Sequence, residues 1–428
     1  MIMKNDTIYL PRLIEHTITQ SMKTNGCIVI EGPKWCGKST TSERFAKSVV
    51  KLQKPATYMQ YRILADIGDD NVLSGEKPLL FDEWQKIPEL WDYIRNYIDE
   101  VSGKGLFILT GSAKPIEDKE RHSGIGRIKK IIMRTMSMWE SNESSGEVSL
   151  EQLFNKNGTV SGKNKYQLKD IAHIICRGGF PSAVIEKNQE MALNYAKDYV
   201  NALVTADILS VDDIKRNPKR ARMVLKSYAR HISTAAHMTT ILKDVESAAD
   251  IQDIRTVNSY LEAFSKLFVI DETEGWTPKL RSKTAIRTTS TKHFVDPSIA
   301  TAILDANPND LLSDLYTFGL LFENLVIRDL KIYVQSLEGN VYNYRDKSGL
   351  EADAVIHLND GRWGLIEVKL GGEKLINEGA MTLKTLKDKI DQEKMSKPSF
   401  LAVITATDLF AYKREDDVYV IPIACLKP

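Results

Sequence analysis

Gly32-Pro33-Lys34-Trp35-Cys36-Gly37-Lys38-Ser39 constrains this chain more than any other segment, because it fills every fixed position of the G-x-x-x-x-G-K-[ST] pattern. The apolar run Cys27–Glu31 precedes it, and helical periodicity from Lys38 to about Leu52 follows. The two glycines let the backbone wrap so that N–H groups face an anion, and the helix start adds its positive end. In such a loop Lys38 would bridge the β- and γ-phosphates and the Ser39 hydroxyl would take a Mg²⁺ position. The candidate nucleotide contacts are Gly32, Pro33, Lys34, Trp35, Cys36, Gly37, Lys38, Ser39 and Thr40, with ATP and Mg²⁺ as cofactors. A chance glycine turn is the competing reading, and the strand–loop–helix context opposes it.

Around this loop the pattern is α/β. Leu13–Met22 reads as a helix that Gly26 ends, and short strands are expected at Thr57–Gln60, Pro78–Phe81, Phe107–Thr110 and Ile128–Met133. Strands alternating with helices predict a parallel sheet, closing near the polar run Ser141–Gly146. Lys169 to about Ala249 is mostly helical, and Asp253–Phe268 carries Ile254, Val257, Leu261, Phe264 and Phe268 on one stripe. Strand-like pieces at Phe268–Asp271 and His293–Asp296 flank a basic loop, which suggests a winged helix-turn-helix. From Leu311 a new α/β unit begins, with a helix through Phe322–Ile332 and strands at Val341–Tyr344, Ala352–Ile356, Trp363–Lys369 and Phe400–Ile404. The expected division is therefore 1–150, 151–310 and 311–428. The Lys384–Lys397 charge run reads as a solvated helix face and the loop after it.

Pro78–Phe81 delivers Asp82 and Glu83 at its end, the arrangement of a Walker B strand: Asp82 would hold Mg²⁺ through water and Glu83 would polarise the attacking water. A helix-capping acid pair is the alternative. Thr110-Gly111-Ser112 puts the Ser112 hydroxyl where a γ-phosphate sensor is expected. Arg127, in Ser123-Gly124-Ile125-Gly126-Arg127, is a candidate arginine finger in its own subunit or a neighbour's, which would require a homo-oligomer, and a surface salt bridge is the alternative. Cys36, near a helix start and beside Lys38, is placed for a lowered thiol pKa and for alkylation that ATP blocks, or is simply a small residue that fits.

The charges nearly cancel, 58 Lys+Arg against 57 Asp+Glu for a net +1, so contact with nucleic acid would need a local patch. Four scattered cysteines without a C-x-x-C pair argue against a zinc site or disulfide framework, and a reducing cytoplasm is the simplest compartment. No apolar stretch is long enough to cross a bilayer, so no membrane partner is expected.

Together these segments resemble a prokaryotic family of AAA-type P-loop ATPases with a restriction-endonuclease-like C-terminal domain. The resemblance rests on Tyr9–Leu13, the glycine loop, Phe81–Gln85, Thr110–Ser112, Ser123–Arg127, Arg177–Pro181, Phe322-Glu323, Leu350–Ile356 and Ile366–Lys369. It implies an AAA-type core, a helical lid and winged-helix middle, and a PD-(D/E)XK nuclease-like α/β domain. Gly179-Phe180-Pro181 is similar to the G-x-P lid motif of signal-transducing ATPases, which would make Pro181 a reporter of nucleotide state; a helix-ending turn is the alternative.

In the C-terminal unit, strand alternation puts Glu367 and Lys369 on one face, opposite Gly364, Ile366, Val368 and Leu370. With Asp353 on an earlier strand and Glu323 on the helix before, the set resembles the PD-(D/E)XK core. Asp353 and Glu367 would then bind a second Mg²⁺ or Mn²⁺, Lys369 would activate water and Glu323 would complete the metal shell. Amphipathic strands with solvated charges are the alternative, and such a fold can bind without cutting. Gly275–Val295 carries Lys279, Arg281, Lys283, Arg287 and Lys292 with no acid, a candidate DNA-contacting wing or an interdomain surface, and Trp276 within it is a stacking or a buried residue.

Overall fold

The computed structural model describes residues 8–113, 124–155, 160–212, 214–249, 251–278, 289–390 and 395–428. In chain order the elements of the first unit are α1 (Ile14–Thr24), β1 (Cys27–Glu31), α2 (Lys38–Glu43), β2 (Ser48–Lys51), α3 (Pro55–Asp66), β3 (Leu79–Asp82), α4 (Leu90–Val101), β4 (Phe107–Gly111) and β5 (Ile128–Ile132). The sheet is parallel in the order β2-β3-β4-β1-β5. β1 is buried on both faces: Cys27 and Val29 join one apolar cluster, Ile28 and Ile30 the other. That burial explains its unbroken apolar run.

Two expectations fail on the far side of this sheet. The helix after the loop stops at Glu43, and Ser48–Lys51 forms the edge strand, favoured by the β-branched pair Val49-Val50. Thr57–Gln60 lies inside α3 rather than in a strand, and Pro55 at the first helical position was the signal missed.

The connector carries β6 (Val148–Ser149), α5 (Leu150–Asn155) and β7 (Gly162–Lys163). The middle is helical: α6 (Leu168–Arg177), α7 (Pro181–Ile185), α8 (Gln189–Thr205), α9 (Pro218–Arg230), α10 (Met238–Ala249), α11 (Ile254–Lys266), α12 (Pro297–Ile303) and α13 (Pro308–Ser313). The last unit comprises α14 (Leu315–Ser336), β8 (Gly339–Arg345), β9 (Glu351–Leu358), β10 (Trp363–Lys369), α15 (Glu373–Lys389), β11 (Leu401–Thr405), β12 (Phe410–Lys413), β13 (Val418–Pro422) and β14 (Leu426–Lys427). Its mixed sheet runs β7-β12-β13-β11-β10-β9-β8, and β14 pairs with β6. The connector assigned by sequence to the first and second units therefore joins the third in space.

Between α11 and α12 the chain makes an antiparallel ribbon, with bridges Ile270↔Phe294 and Thr273↔Thr291. Gly275 then pairs with Asn343 of β8, and Trp276 is buried against Trp363 at 5.0 Å between ring centroids. Trp276 is thus a packing residue. The Lys292 side chain is also buried, 4.0 Å from Glu272, so its place in an open basic wing is corrected. Lys279, Arg281, Lys283 and Arg287 lie outside the described residues.

One buried network joins all three units. Arg328 of α14 donates to Asp296, the N-cap of α12, at 3.0 Å, and to its neighbour Asp329 at 2.9 Å. Asp296 also accepts from the Thr135 hydroxyl at 2.6 Å and from the Gly179 N–H at 2.8 Å, while Asp329 accepts from the Met138 N–H at 2.9 Å. Burial alone would raise both carboxyls. Arg328 and the bonds from Ser298, Thr135 and Gly179 hold Asp296 below its ordinary value, whereas Asp329 is pushed up to about 6. Removing one member of a buried pair leaves an uncompensated charge and costs about 3–5 kcal/mol. Asp296→Ala should lower the urea midpoint of unfolding accordingly, while Lys226→Ala, in an exposed pair with Asp305 at 3.4 Å, should leave it nearly unchanged. Equal effects of the two substitutions would contradict the assigned role of the network.

Candidate nucleotide site

The glycine loop leaves the C-terminal end of β1 and enters α2. Gly32 and Gly37 have φ of 155° and 101°, conformations that L side chains avoid. A Cβ on Gly32 would also lie 2.1 Å from the Met133 carbonyl oxygen, so both fixed glycines are required. The buried Lys38 donates to the carbonyls of Gly32 (2.9 Å) and Pro33 (2.8 Å), which closes the loop on itself. Thr40 lies exposed on α2.

Because β4 is inserted between β1 and β3, Thr110 stands beside the end of β3. Asp82 Oδ1 accepts from Ser39 Oγ at 2.6 Å and from Thr110 Oγ1 at 2.5 Å, and its Oδ2 accepts from Gln53 Nε2 at 2.8 Å. The glycine loop and the acidic strand are thereby one site. Glu83 takes a left-handed backbone, φ 61°, which is costly for a residue with a Cβ and frequent at functional sites. Its Oε2 accepts from Ser112 Oγ at 2.9 Å and from Gln85 Nε2. Ser112 therefore holds Glu83 in this structure. Thr110 and Gln53 were not singled out as ligands of Asp82, although Thr110 lies in the quoted Thr-Gly-Ser triplet.

Arg127 is not brought to its own loop. Cys27 of β1 pairs with Ile128 of β5, and the Cys27 N–H donates to the Arg127 carbonyl at 3.1 Å. Arg127 thus sits at the opposite edge of the sheet, about 16 Å away at ~3.3 Å per strand residue, paired with Asp99 at 2.6 Å. Its action within the same subunit is corrected, since strand direction puts it at the wrong end. Arg12 reaches the loop instead, its Nη1 donating to the Cys36 carbonyl at 2.7 Å, whereas Arg134 pairs with Asp271 at 2.6 Å.

The helical middle touches the loop at three points. Pro181, at the start of α7, lies 3.5 Å from the position of a Cβ built on Gly37. Lys34 pairs with Asp207 at 2.6 Å, and the half-exposed Trp35 meets Tyr199 edge-on, with ring centroids 5.7 Å apart.

The C-terminal residues chosen from sequence also converge. Lys369 Nζ lies 2.6 Å from Glu367 and 3.6 Å from Asp353, and Asp353 accepts from the Val368 N–H at 2.7 Å. Burial, then the Asp353 charge, pushes Glu367 up to about 8 against the pull of Lys369. Burial likewise raises Glu323 well above its usual range, with Asp353 adding to it. Sequence missed His293, which the ribbon places 3.5 Å from Glu323. Among the described residues, no group of three His, Cys, Asp or Glu side chains is arranged to hold a metal ion. No helix among the described residues is long and apolar enough to cross a membrane.

Comparison with known proteins accords with this geometry. Residues 24–142 match the family model of an AAA domain. The first unit is an AAA-type domain. Residues 168–310 and 318–426 match two domains of unknown function, DUF8612 and DUF4143. The chain is similar to two uncharacterized proteins, of Mycobacterium tuberculosis and Mycobacterium bovis, each 22% identical over 80% of this chain and 70% of the relative. A Walker-type ATPase of Pyrococcus abyssi is similar at 15% identity and a TM-score of 0.42, over 69% of this chain and 96% of that one.

Inside the AAA-type domain Cys36 is fully buried, its thiol 3.5 Å from the Met133 carbonyl, which corrects the expectation of a reactive, ATP-protected thiol. All four cysteines are buried. The native protein should therefore react with less than about one equivalent of a polar thiol reagent, with or without Mg-ATP, and with all four thiols once unfolded. Rapid native labelling of Cys36 would contradict the buried placement.

Proposed function

We propose that the chain is a Mg²⁺-dependent ATPase whose nucleotide state controls a nuclease-like C-terminal domain acting on nucleic acid. The observation that carries this reading is the sharing of Asp82 by Ser39 and Thr110 at 2.6 and 2.5 Å, immediately before the held Glu83. Lys38, Gly32–Ser39 and Thr40 would bind the phosphates. Ser39 and Asp82 offer the hard oxygen donors that Mg²⁺ takes, and they would hold it. Bound there, the ion would draw charge from the phosphate oxygens. Glu83 would orient water and take its proton on Oε1, since Ser112 and Gln85 both bond Oε2. Release of phosphate would be felt through Pro181, Lys34–Asp207 and Trp35–Tyr199, the contacts between loop and lid. Arg127 would act only on a neighbour's nucleotide in a homo-oligomer. The winged-helix reading, with a DNA-contacting segment in Gly275–Val295, belongs to the same proposal.

A second reading has its own support. Lys369 is already held by Glu367 at 2.6 Å and Asp353 at 3.6 Å. On this reading the C-terminal domain binds a partner without cutting, and ATP hydrolysis switches the association.

Lys38→Ala should abolish ATP turnover, and Glu83→Gln should keep nucleotide binding while lowering kcat about 10²-fold or more. Retained turnover in Lys38→Ala would sink the nucleotide-site assignment. For the C-terminal domain, Mn²⁺- or Mg²⁺-supported cutting of DNA or RNA that disappears in Asp353→Ala supports the nuclease reading. Absence of cutting by an ATPase-active preparation supports the binding module.

A further inference from the structure

We propose that Arg12 is a positioning residue of the nucleotide site, one that fixes the Cys36–Gly37 peptide and ties it to the segment joining the first unit to the others. This rests on the reading of Gly32–Ser39 as a nucleotide loop. Arg12 is 6% exposed, and its guanidinium is spent entirely inside the protein. Nη1 donates to the Cys36 carbonyl at 2.7 Å, Nε to Glu140 at 3.0 Å, and Nη2 to the carbonyls of Arg134 at 2.9 Å and Thr135 at 3.2 Å. Glu140 is itself held, by the Leu13 N–H at 2.8 Å on one oxygen and by the Ser137 N–H at 2.9 Å on the other. The fork is therefore anchored on one side and grips the loop on the other.

A peptide bond is planar and trans, so its N–H points opposite to its C=O. Holding the Cys36 carbonyl on the Arg12 side directs the Gly37 N–H away from it, and this N–H is one of the donors that a phosphate cradle uses. Gly37 has φ 101°, and a Cβ there would lie 3.5 Å from both Arg12 Nη1 and Pro181 Cγ. Arg12 and Pro181 thus border the same residue from the two parts of the molecule that meet at the loop.

The far end of the fork reaches the buried network. Thr135, whose carbonyl accepts from Arg12, donates its hydroxyl to Asp296 at 2.6 Å, and the next N–H, of Met136, donates to the Gly179 carbonyl at 2.7 Å. Displacement of the Cys36–Gly37 peptide by a bound phosphate would be felt at Arg12 and, through Thr135, where the lid motif is fastened. A lysine cannot reproduce this, because one ammonium lacks the planar fork that spans a carboxylate and separate carbonyls.

The test uses the full chain, with fluorescent ADP and Mg²⁺ for binding and steady-state ATP turnover for catalysis. Arg12→Lys, which keeps a charge beside Glu140, should stay folded at the assay temperature with a cooperative melt yet bind ADP about tenfold more weakly, with KM rising more than kcat falls. Arg12→Ala should show the same defect, partly restored by millimolar guanidinium. A folded Arg12→Lys with wild-type ADP affinity and KM would overturn the role of Arg12, as would a lowered melting temperature with KM unmoved. Wild-type protein that binds no ADP would instead overturn the nucleotide-site reading itself.

Discussion

A single buried guanidinium, Arg328, meets carboxylates of two different elements, and the arrangement of the three units depends on it. Asp296 caps α12 in the middle, Asp329 lies on α14, and the bonds from Thr135, Met138 and Gly179 bring the exit of the first sheet and the turn before α7 to the same point. Charges this deeply buried are costly to desolvate and are tolerated only when every partner is present. The network therefore specifies how the units meet more than it adds to net stability. Gly178 and Gly179 follow from it, since a Cβ on either would strike Ser298 or the Met136 carbonyl.

The nucleotide site grows from the same edge. The segment that leaves β5 supplies Met133 against Gly32, Arg134 to Asp271, and Thr135 to both Arg12 and Asp296. The glycine loop, the Gly179 turn and the C-terminal helix are thus linked by a chain of hydrogen bonds through Arg12, Thr135 and Asp296. On the same side of the loop the helical middle makes the Lys34–Asp207 and Trp35–Tyr199 contacts.

Legibility differed along the chain for physical reasons. β1, β3 and β4 were readable because strands buried on both faces are apolar over most of their length, and β10 was readable because alternation separates Glu367 and Lys369 from Ile366 and Val368. The edge strand β2 was not, since its exposed face relaxes the pattern and Lys38–Leu52 looks helical on periodicity alone. The basic ribbon was misjudged at Lys292 for the opposite reason: composition suggests a solvent-facing charge, but the ribbon folds onto β8 and buries it.

Sequence alone determined the glycine loop, because Gly32 and Gly37 occupy backbone conformations that only glycine adopts readily and Lys38 and Ser39 follow at the fixed spacing of the pattern. It also determined that Asp82, Glu83, Asp353, Glu367 and Lys369 stand at or near strand ends. Which of these meet was decided only in three dimensions. Strand order placed Thr110 beside Asp82, strand direction carried Arg127 to the end of the sheet away from the loop, and the ribbon brought His293 to Glu323. Arg12 illustrates the difference most clearly: its partners at Cys36 and Glu140 lie 24 and 128 residues away, and no local pattern encodes a contact made by the packing of separate elements.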